Sequence, residues 1–513
     1  MRLRLLVAVM LLGASFACAP KTALPAPSVP SVTPAMRLER ATQDLLAGCL
    51  DCLNAAYRAF LDLRDEPAVS GEATDGAVRA AVLIALREAE LGLRTSRQGQ
   101  PIAAGVVSTP TPEQAQILLT SEALASGDYT RLMREQAPWV EAFRGRVDGD
   151  PTSAYLWLSL ACGPAGFAVP ERNLRSSVVA TTSAVPLVSF KLAAGCTPRN
   201  RAALEALLER EPRFVEIHYV LGIIALAGEG QPNQGLFVPN LEVADTHYQA
   251  AYDWRPDWPA LTQAIANLAM TAEDFGRAHE FYERTLALVP DNADAMVGGI
   301  RALTYGGRYD EAIAAANRML TTDRSPGEAL YWRAFNESLL NRDNDAWTDI
   351  EQAAVTLINA DVPKLAGIVA VKRRDFEVAR ERLALSLGRR STDCETRFYF
   401  QAVVSEQRDW KAAATAASES AACFDGELAR LDREIAGLRT ADMPEARRNR
   451  WMARREAEVA GDTRMRATAW FNASAAYFNL SRKDDARRFA EKLVGDQAFD
   501  ARAREILDRL NAP

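Results

Sequence analysis

Histidine is almost missing from this chain: His218, His247 and His279 are the only three among 513 residues. None stands one helical turn from another with a third ligand in view, so the usual metal-binding spacings are not met. The nucleophile elbow Gly-x-Ser-x-Gly, Ser-x-x-Lys, His-Glu-x-x-His and the dinucleotide fingerprint are also missing. Acidic residues are plentiful but scattered, and no spacing nominates a catalytic pair. No enzymatic activity, cofactor or metal is therefore expected. Beyond residue 17 no apolar run is long enough to span a bilayer as a helix. Basic runs are lacking as well, and with a formal net charge of −7 the chain is a poor candidate for nucleic acid. Strand signals are scarce, while the abundant alanine, leucine, arginine and glutamate favour helix.

What is present is periodic. Ala244, Ala278, Ala312 and Ala346 recur every 34 residues, the phase slips by one to Ala379, and the step returns at Ala413. A bulky or a second small residue follows each alanine one helical turn on: Tyr248, Tyr282, Ala316, Ile350, Leu383 and Ala417. Pro256 and Pro290 close two of these helices, and Gly306-Gly307 marks a turn before a third. Small residues recur in the preceding helices at Gly222, Ala266, Ala334 and Ala402. Two helices that cross closely need small residues at the crossing and larger ones to fill the neighbouring grooves. Late in the chain Trp470, Ala473, Ser474 and Tyr477 fall on the W-x2-L-G-x2-Y positions of a first helix, with Ala486 and Ala490 in the second.

In these residues the chain resembles the tetratricopeptide repeat family over roughly half its length. The resemblance implies an all-α fold: a tetratricopeptide-like helical-hairpin solenoid, wound as a right-handed superhelix, with a less regular helical N-terminal half. Each unit is too small to bury its own apolar face and leans on the next. Such solenoids usually hold other molecules, so a protein or peptide partner is the expected ligand.

The chain divides accordingly. Residues 1–17 read as an export signal: Arg2 and Arg4, a short apolar run from Leu5 to Leu12, then Ser15-Phe16-Ala17 before Cys18. The segment resembles a bacterial lipoprotein signal, in which the cysteine is lipidated; Ser15 stands where that family usually has leucine. Ordinary secretion with cleavage after Ala17 is the other reading. Removing the two arginines of residues 1–17 takes the formal charge from −7 to −9. Residues 18–36 form a Pro/Ala-rich tether that cannot build a core. Residues 37–212 are an irregular, repeat-like helical region, with helices expected at 37–63 (two), 76–94, 112–126, 128–144 and 199–210, and a strand-like run at 178–188. Residues 213–424 are the repeat array, with a polar loop from Gly228 to Asn240. Residues 425–461 form a charged helical hairpin insertion, read either as a protruding docking arm or as helices packed on the solenoid. Residues 462–513 supply a last repeat and a capping helix.

Six cysteines follow Cys18, an even number suited to an oxidising compartment. Cys394 precedes a first helix and Cys423 ends the second, so antiparallel packing brings them together. A bridge there would stabilise by roughly 3–4 kcal/mol in the chain-entropy picture. Cys162 and Cys196 pair by elimination. Cys49 and Cys52 form a CxxC at a turn, open to a local disulfide, free thiols, or a redox or metal role.

In tetratricopeptide superhelices the concave groove is lined by the first helix of each pair. Carried over residue by residue, that register places Tyr219, Gln263, Asn267, Arg301, Tyr305, Tyr331, Phe335, Lys364 and Phe398 in the groove, with Phe471 and Phe478 at its end. The strip is aromatic with occasional amide and positive charge, suited to an extended peptide or a helix. The expected role is an exported, lipid-anchored scaffold for protein partners at a bacterial envelope. The alternative is a solute- or glycan-binding lipoprotein serving an uptake system, for which Trp254 and Trp258 are the candidate aromatic platform. The anchor has a simple test. Cys18→Ser should move the protein from the membrane to the soluble fraction; a variant that stays membrane-bound would contradict lipidation.

Overall fold

The computed structural model describes residues 32–91, 93, 105–126, 128–146, 150–161, 201–227 and 240–511. The signal segment with Cys18, the run 178–188, Cys162 and Cys196 lie outside the described residues, as does the loop from Gly228 up to its last residue, Asn240. Among the described residues every regular element is a helix. In the N-terminal region these are α1 (Pro34–Ala47), α2 (Leu50–Leu63), α3 (Ser70–Glu90), α4 (Pro112–Ser126), α5 (Tyr129–Arg144), α6 (Pro151–Ala161) and α7 (Arg201–Arg210). The first helix starts inside the expected tether, because Thr33 caps it and Pro34 fits its first turn.

Seven helix pairs follow. They are α8/α9 (Glu216–Ala227, Leu241–Trp254), α10/α11 (Pro259–Thr271, Phe275–Leu288), α12/α13 (Ala293–Tyr305, Tyr309–Leu320) and α14/α15 (Pro326–Leu339, Asp343–Ala353). Then come α16/α17 (Asp361–Lys372, Phe376–Arg389), α18/α19 (Cys394–Glu406, Trp410–Thr440) and α20/α21 (Glu445–Asn479, Lys483–Glu491), with α22 (Asp500–Asn511) closing the end. We call the first helix of each pair A and the second B.

The periodic alanines explain the pairing. Ala244, Ala278, Ala312, Ala346, Ala379, Ala413 and Ala486 are all 0% exposed. Each lies where its B helix meets a neighbour, fully shielded from solvent. Five residues before six of these alanines sits a turn residue with positive φ: Glu273, Gly307, Asn341, Arg374, Arg408 and Ser481. Only one is glycine, so the left-handed turn is imposed by the helix packing on either side rather than by local preference. Capping makes the next helix start sharply. Asp274, Asp375 and Asp409 each accept a backbone N–H at the start of a B helix.

From α10 to α20, each A helix meets the next A helix directly, so the A helices form the inner, shorter side of the stack. Glycine serves the same close approach. A Cβ at Gly298 of α12 would overlap the ring of Tyr282 on α11, and that ring is anchored by its hydroxyl donating to Asn267 Oδ1 at 2.6 Å.

The N-terminal helices do not form a separate body. One apolar core runs from Ala41 to Ala302, across residue 212. Buried Arg87 ties it together: it pairs with Glu90 at 2.8 Å, donates to the Gly48 carbonyl at 3.1 Å and lies over the rings of Tyr155 and Phe214. Glu216, at the start of α8, accepts from the Leu50 backbone N–H at 2.7 Å. Cys49 caps α2 and is bonded to Cys52, with both sulfurs in the core. Cys394 and Cys423 are also disulfide-bonded, with Cα atoms 5.5 Å apart.

Two consequences can be measured. Alanine prefers helix over glycine by about 1 kcal/mol, but overlap in a packed core costs about 1–3 kcal/mol. Gly298→Ala should therefore lower stability in denaturant; a gain would show that the Tyr282 ring can yield. The second concerns Glu337, buried on α14, whose carboxyl is pushed up to about 7 by burial first and by Asp349 second. Its folded-state value lies above the unfolded one, so the fold is penalised as pH rises through that range and relieved as pH falls. Glu337→Gln should melt higher than the parent at pH 8 and match it at pH 5. Equal melting at both pH values would contradict the burial argument.

Candidate functional site

The site is built on the A helices. Tyr305 ends α12 and is exposed; Arg301 lies one turn before it, also exposed. On α14, Tyr331, Trp332 and Phe335 form the next rung, half-buried or buried. Their rings run on continuously. Phe275 lies 5.7 Å from Tyr305, Tyr305 lies 6.2 Å from Trp332, and Trp332 lies 5.3 Å from Tyr331 and 5.7 Å from Phe335. The Arg301 guanidinium stands over Trp332 at 5.9 Å. Burial first, and Asp361 second, push the Tyr331 hydroxyl up, so it stays a neutral donor at any ordinary pH.

Of the groove residues expected from sequence, the structure brings Arg301, Tyr305, Tyr331 and Phe335 into this patch. Others are occupied elsewhere. Tyr219 packs between Tyr248 and Trp258, with ring centroids at 5.9 and 4.6 Å. Phe398 packs on Tyr399 and Phe424, and Phe471 stacks on Phe499. Phe478 leans on the core around Ala473 and Tyr477. Tyr219 and Phe471 thereby pack against the next element along the stack, and Phe398 packs inside its own pair, filling grooves that need large residues. Gln263 accepts from Asn292 at 2.9 Å, and Asn267 accepts from Tyr282 while remaining exposed. Lys364 is not a free positive charge: its ammonium contacts Asp393 at 2.9 Å and Glu395 at 2.7 Å. Burial works against that charge, yet the two carboxylates outweigh it and hold the group above the ordinary lysine range.

Sequence reasoning missed the rest of the site. Residues 425–461 are not a separate insertion but the far ends of α19 and α20, two long helices joined at 441–444. Their tip does not protrude. It folds back onto units more than 170 residues earlier. Trp451 donates its indole N–H to the Ala272 carbonyl at 3.1 Å. Arg447 pairs with Glu242, and Arg455 with Glu273 at 3.2 Å. Arg454 lies over Phe275 at 5.4 Å and over Tyr305 at 5.8 Å. The tip and the repeats flank an open pocket of about 350 Å³ lined by Met270, Glu273, Phe275, Arg301, Tyr305 and Arg454. A tryptophan among many arginines was the available signal, since an isolated ring on a charged helix needs an apolar surface to cover it.

Two other clusters bear on function. His218 and His247 meet across α8 and α9 with Nδ1 atoms 2.9 Å apart, and burial holds both below the ordinary histidine range. Among the described residues no third His, Cys, Asp or Glu joins them in a metal-type group. The Trp254–Trp258 pair does not make a platform. Trp258 is buried and donates to the Leu91 carbonyl, which leaves Trp254 alone at the surface. Among the described residues no helix is long and apolar enough to cross a membrane.

A stack of antiparallel helix pairs with small-residue crossings is a helical-repeat solenoid, tetratricopeptide-like in its architecture. Residues 264–329, from α10 into α14, match the tetratricopeptide repeat family model. Similar solved structures include YrrB, described as a TPR protein with an unusual peptide-binding site (17% identity, 44% of this chain and 97% of that one, TM-score 0.31). A tetratricopeptide repeat protein from Parabacteroides merdae is similar at 14% identity over 60% of this chain and 99% of its own, with a TM-score of 0.32. The Cut9–Hcn1 structure of the APC/C is similar at 12% identity over 94% of this chain and 91% of its own, with a TM-score of 0.37. No curated protein matches the chain in sequence.

Proposed function

We propose that this chain is a scaffold that holds a protein segment against its A-helix face, and that Cys18 carries a lipid anchoring it at a bacterial envelope. The observation that carries the binding role is the ring ladder Phe275–Tyr305–Trp332–Phe335, continuous over three units and edged by exposed Arg301 and Tyr305. Rings supply contact area at small entropy cost, and helices already fixed by packing need little reorganisation on binding. The anchor rests on the sequence of residues 1–18. A lipid on Cys18 followed by a Pro/Ala-rich tether would hold the solenoid off the membrane surface. The glycan-binding alternative has lost its platform, since Trp258 serves the core.

Arg301 and Tyr305 are exposed, so changing them should leave the fold intact. In capture from envelope extracts, Arg301→Glu with Tyr305→Ala should reduce recovery of a defined protein at least about 10-fold, as removal of interface anchors does. Unchanged recovery would place the binding surface elsewhere.

A further inference from the structure

The arm tip presents one helical face. Arg447, Trp451, Arg454 and Arg455 are spaced i, i+4, i+7 and i+8, so all four point the same way. The acceptors opposite them match: the carboxylates of Glu242 and Glu273, the carbonyl of Ala272 and the rings of Phe275 and Tyr305. Glu273 is held in a left-handed turn between α10 and α11, which aims its side chain at the arm. The chain has thus built a complementary pair of surfaces, one on the scaffold and one on its own arm.

The two ends of the arm are fastened very differently. At the root, the Cys394–Cys423 disulfide ties α19 to the start of α18, and Phe424, Leu428 and Leu431 are buried. At the tip two part-exposed ion pairs, which salt screens, stand beside Trp451, which packs on the edge of the repeat core, and no covalent link holds them. At the level of the root lie Gly426 on α19, exposed between buried Phe424 and Leu428, and Gly461 on α20, at similar heights on the two antiparallel helices. An added Cβ at either would meet nothing within 4 Å, so packing does not demand glycine at either place. Paired glycines inside helices weaken both at one level and leave a place to bend.

We propose that the Arg447–Trp451–Arg454–Arg455 face is a built-in ligand of the scaffold edge where A helices turn into B helices, the edge at which the exposed ring of Tyr305 ends the A-helix strip, and that the scaffold's partner is a helix bearing the same cationic–aromatic pattern, which enters by displacing the arm. The proposal rests on the groove reading above and specifies its occupant. Acidic acceptors flanking aromatic rings select a basic helix carrying a tryptophan over an acidic or uncharged segment. The tethered arm, present at high effective concentration, keeps weaker ligands out.

The probe is a labelled peptide of residues 445–462, titrated against the full-length protein. The intact protein should bind it weakly, because the arm already occupies the site. Trp451→Ala with Arg455→Glu in the protein should free the site and tighten peptide binding at least about 10-fold, with the gain shrinking as salt is raised. Adding Glu242→Arg and Glu273→Arg to that protein should abolish binding, and a peptide carrying Arg447→Glu and Arg455→Glu should restore it. Restoration shows that the scaffold is folded and that charge complementarity governs the contact. Gly426→Ala with Gly461→Ala, which touches neither surface, should weaken peptide binding to the intact protein. Equal affinity for intact and arm-released proteins would overturn the proposal, as would binding indifferent to Glu242 and Glu273. If the peptide behaves as expected but Arg301→Glu/Tyr305→Ala leaves partner capture unchanged, the arm contact stands and the groove reading fails. If capture is lost but the peptide shows no competition, the groove stands and the arm is only a brace.

Discussion

Everything in this molecule depends on how closely an A helix and a B helix can approach. Seven fully buried alanines set that distance, and Gly298 sets it again from the A side. A larger residue at any of these seats would push the pair apart and lose the ring contacts filling the adjoining grooves. The turns follow from the same constraint. Glutamate, asparagine and arginine accept left-handed backbone at Glu273, Asn341 and Arg374 because the helices on both sides leave no other path. In a stack of this kind stability is passed from neighbour to neighbour, so each seat matters to units on both sides.

The stack also determines which residues are left for function. Rings needed to fill the grooves between helices, such as Tyr219 and Phe398, are consumed by it. Rings past the crossing, such as Tyr305, are not. Overlong α19 and α20 then bring a basic face back to that exposed strip, and Arg454 ends against Tyr305. A surface of partly exposed aromatics beside two carboxylates is thereby covered by a segment of opposite character.

Much of the fold was legible in the sequence because its cause is local and repeated. The alanine phase identified the helix pairs, and the helices at 112–126, 128–144 and 199–210 were recognisable from pitch alone. The antiparallel logic that joined Cys394 to Cys423 also depends only on neighbouring helices. What escaped was contact across large sequence separation. Nothing in the period links Arg447 to Glu242 or Arg87 to Phe214. The site was half legible for the same reason. Register assigns a residue to a helix face, but it does not say whether a neighbouring unit or a returning arm already covers it.

The position of the arm against the A-to-B turn edge of the repeats is the point on which the functional reading turns, and it can be seen directly. Spin labels at Thr271 and Asn449, both exposed, would report the distance between the second repeat and the arm tip. A short, narrow distance distribution at low salt that broadens and lengthens at high salt is the expected result. A long or broad distribution at low salt would mean that the tip does not rest on the repeats at all.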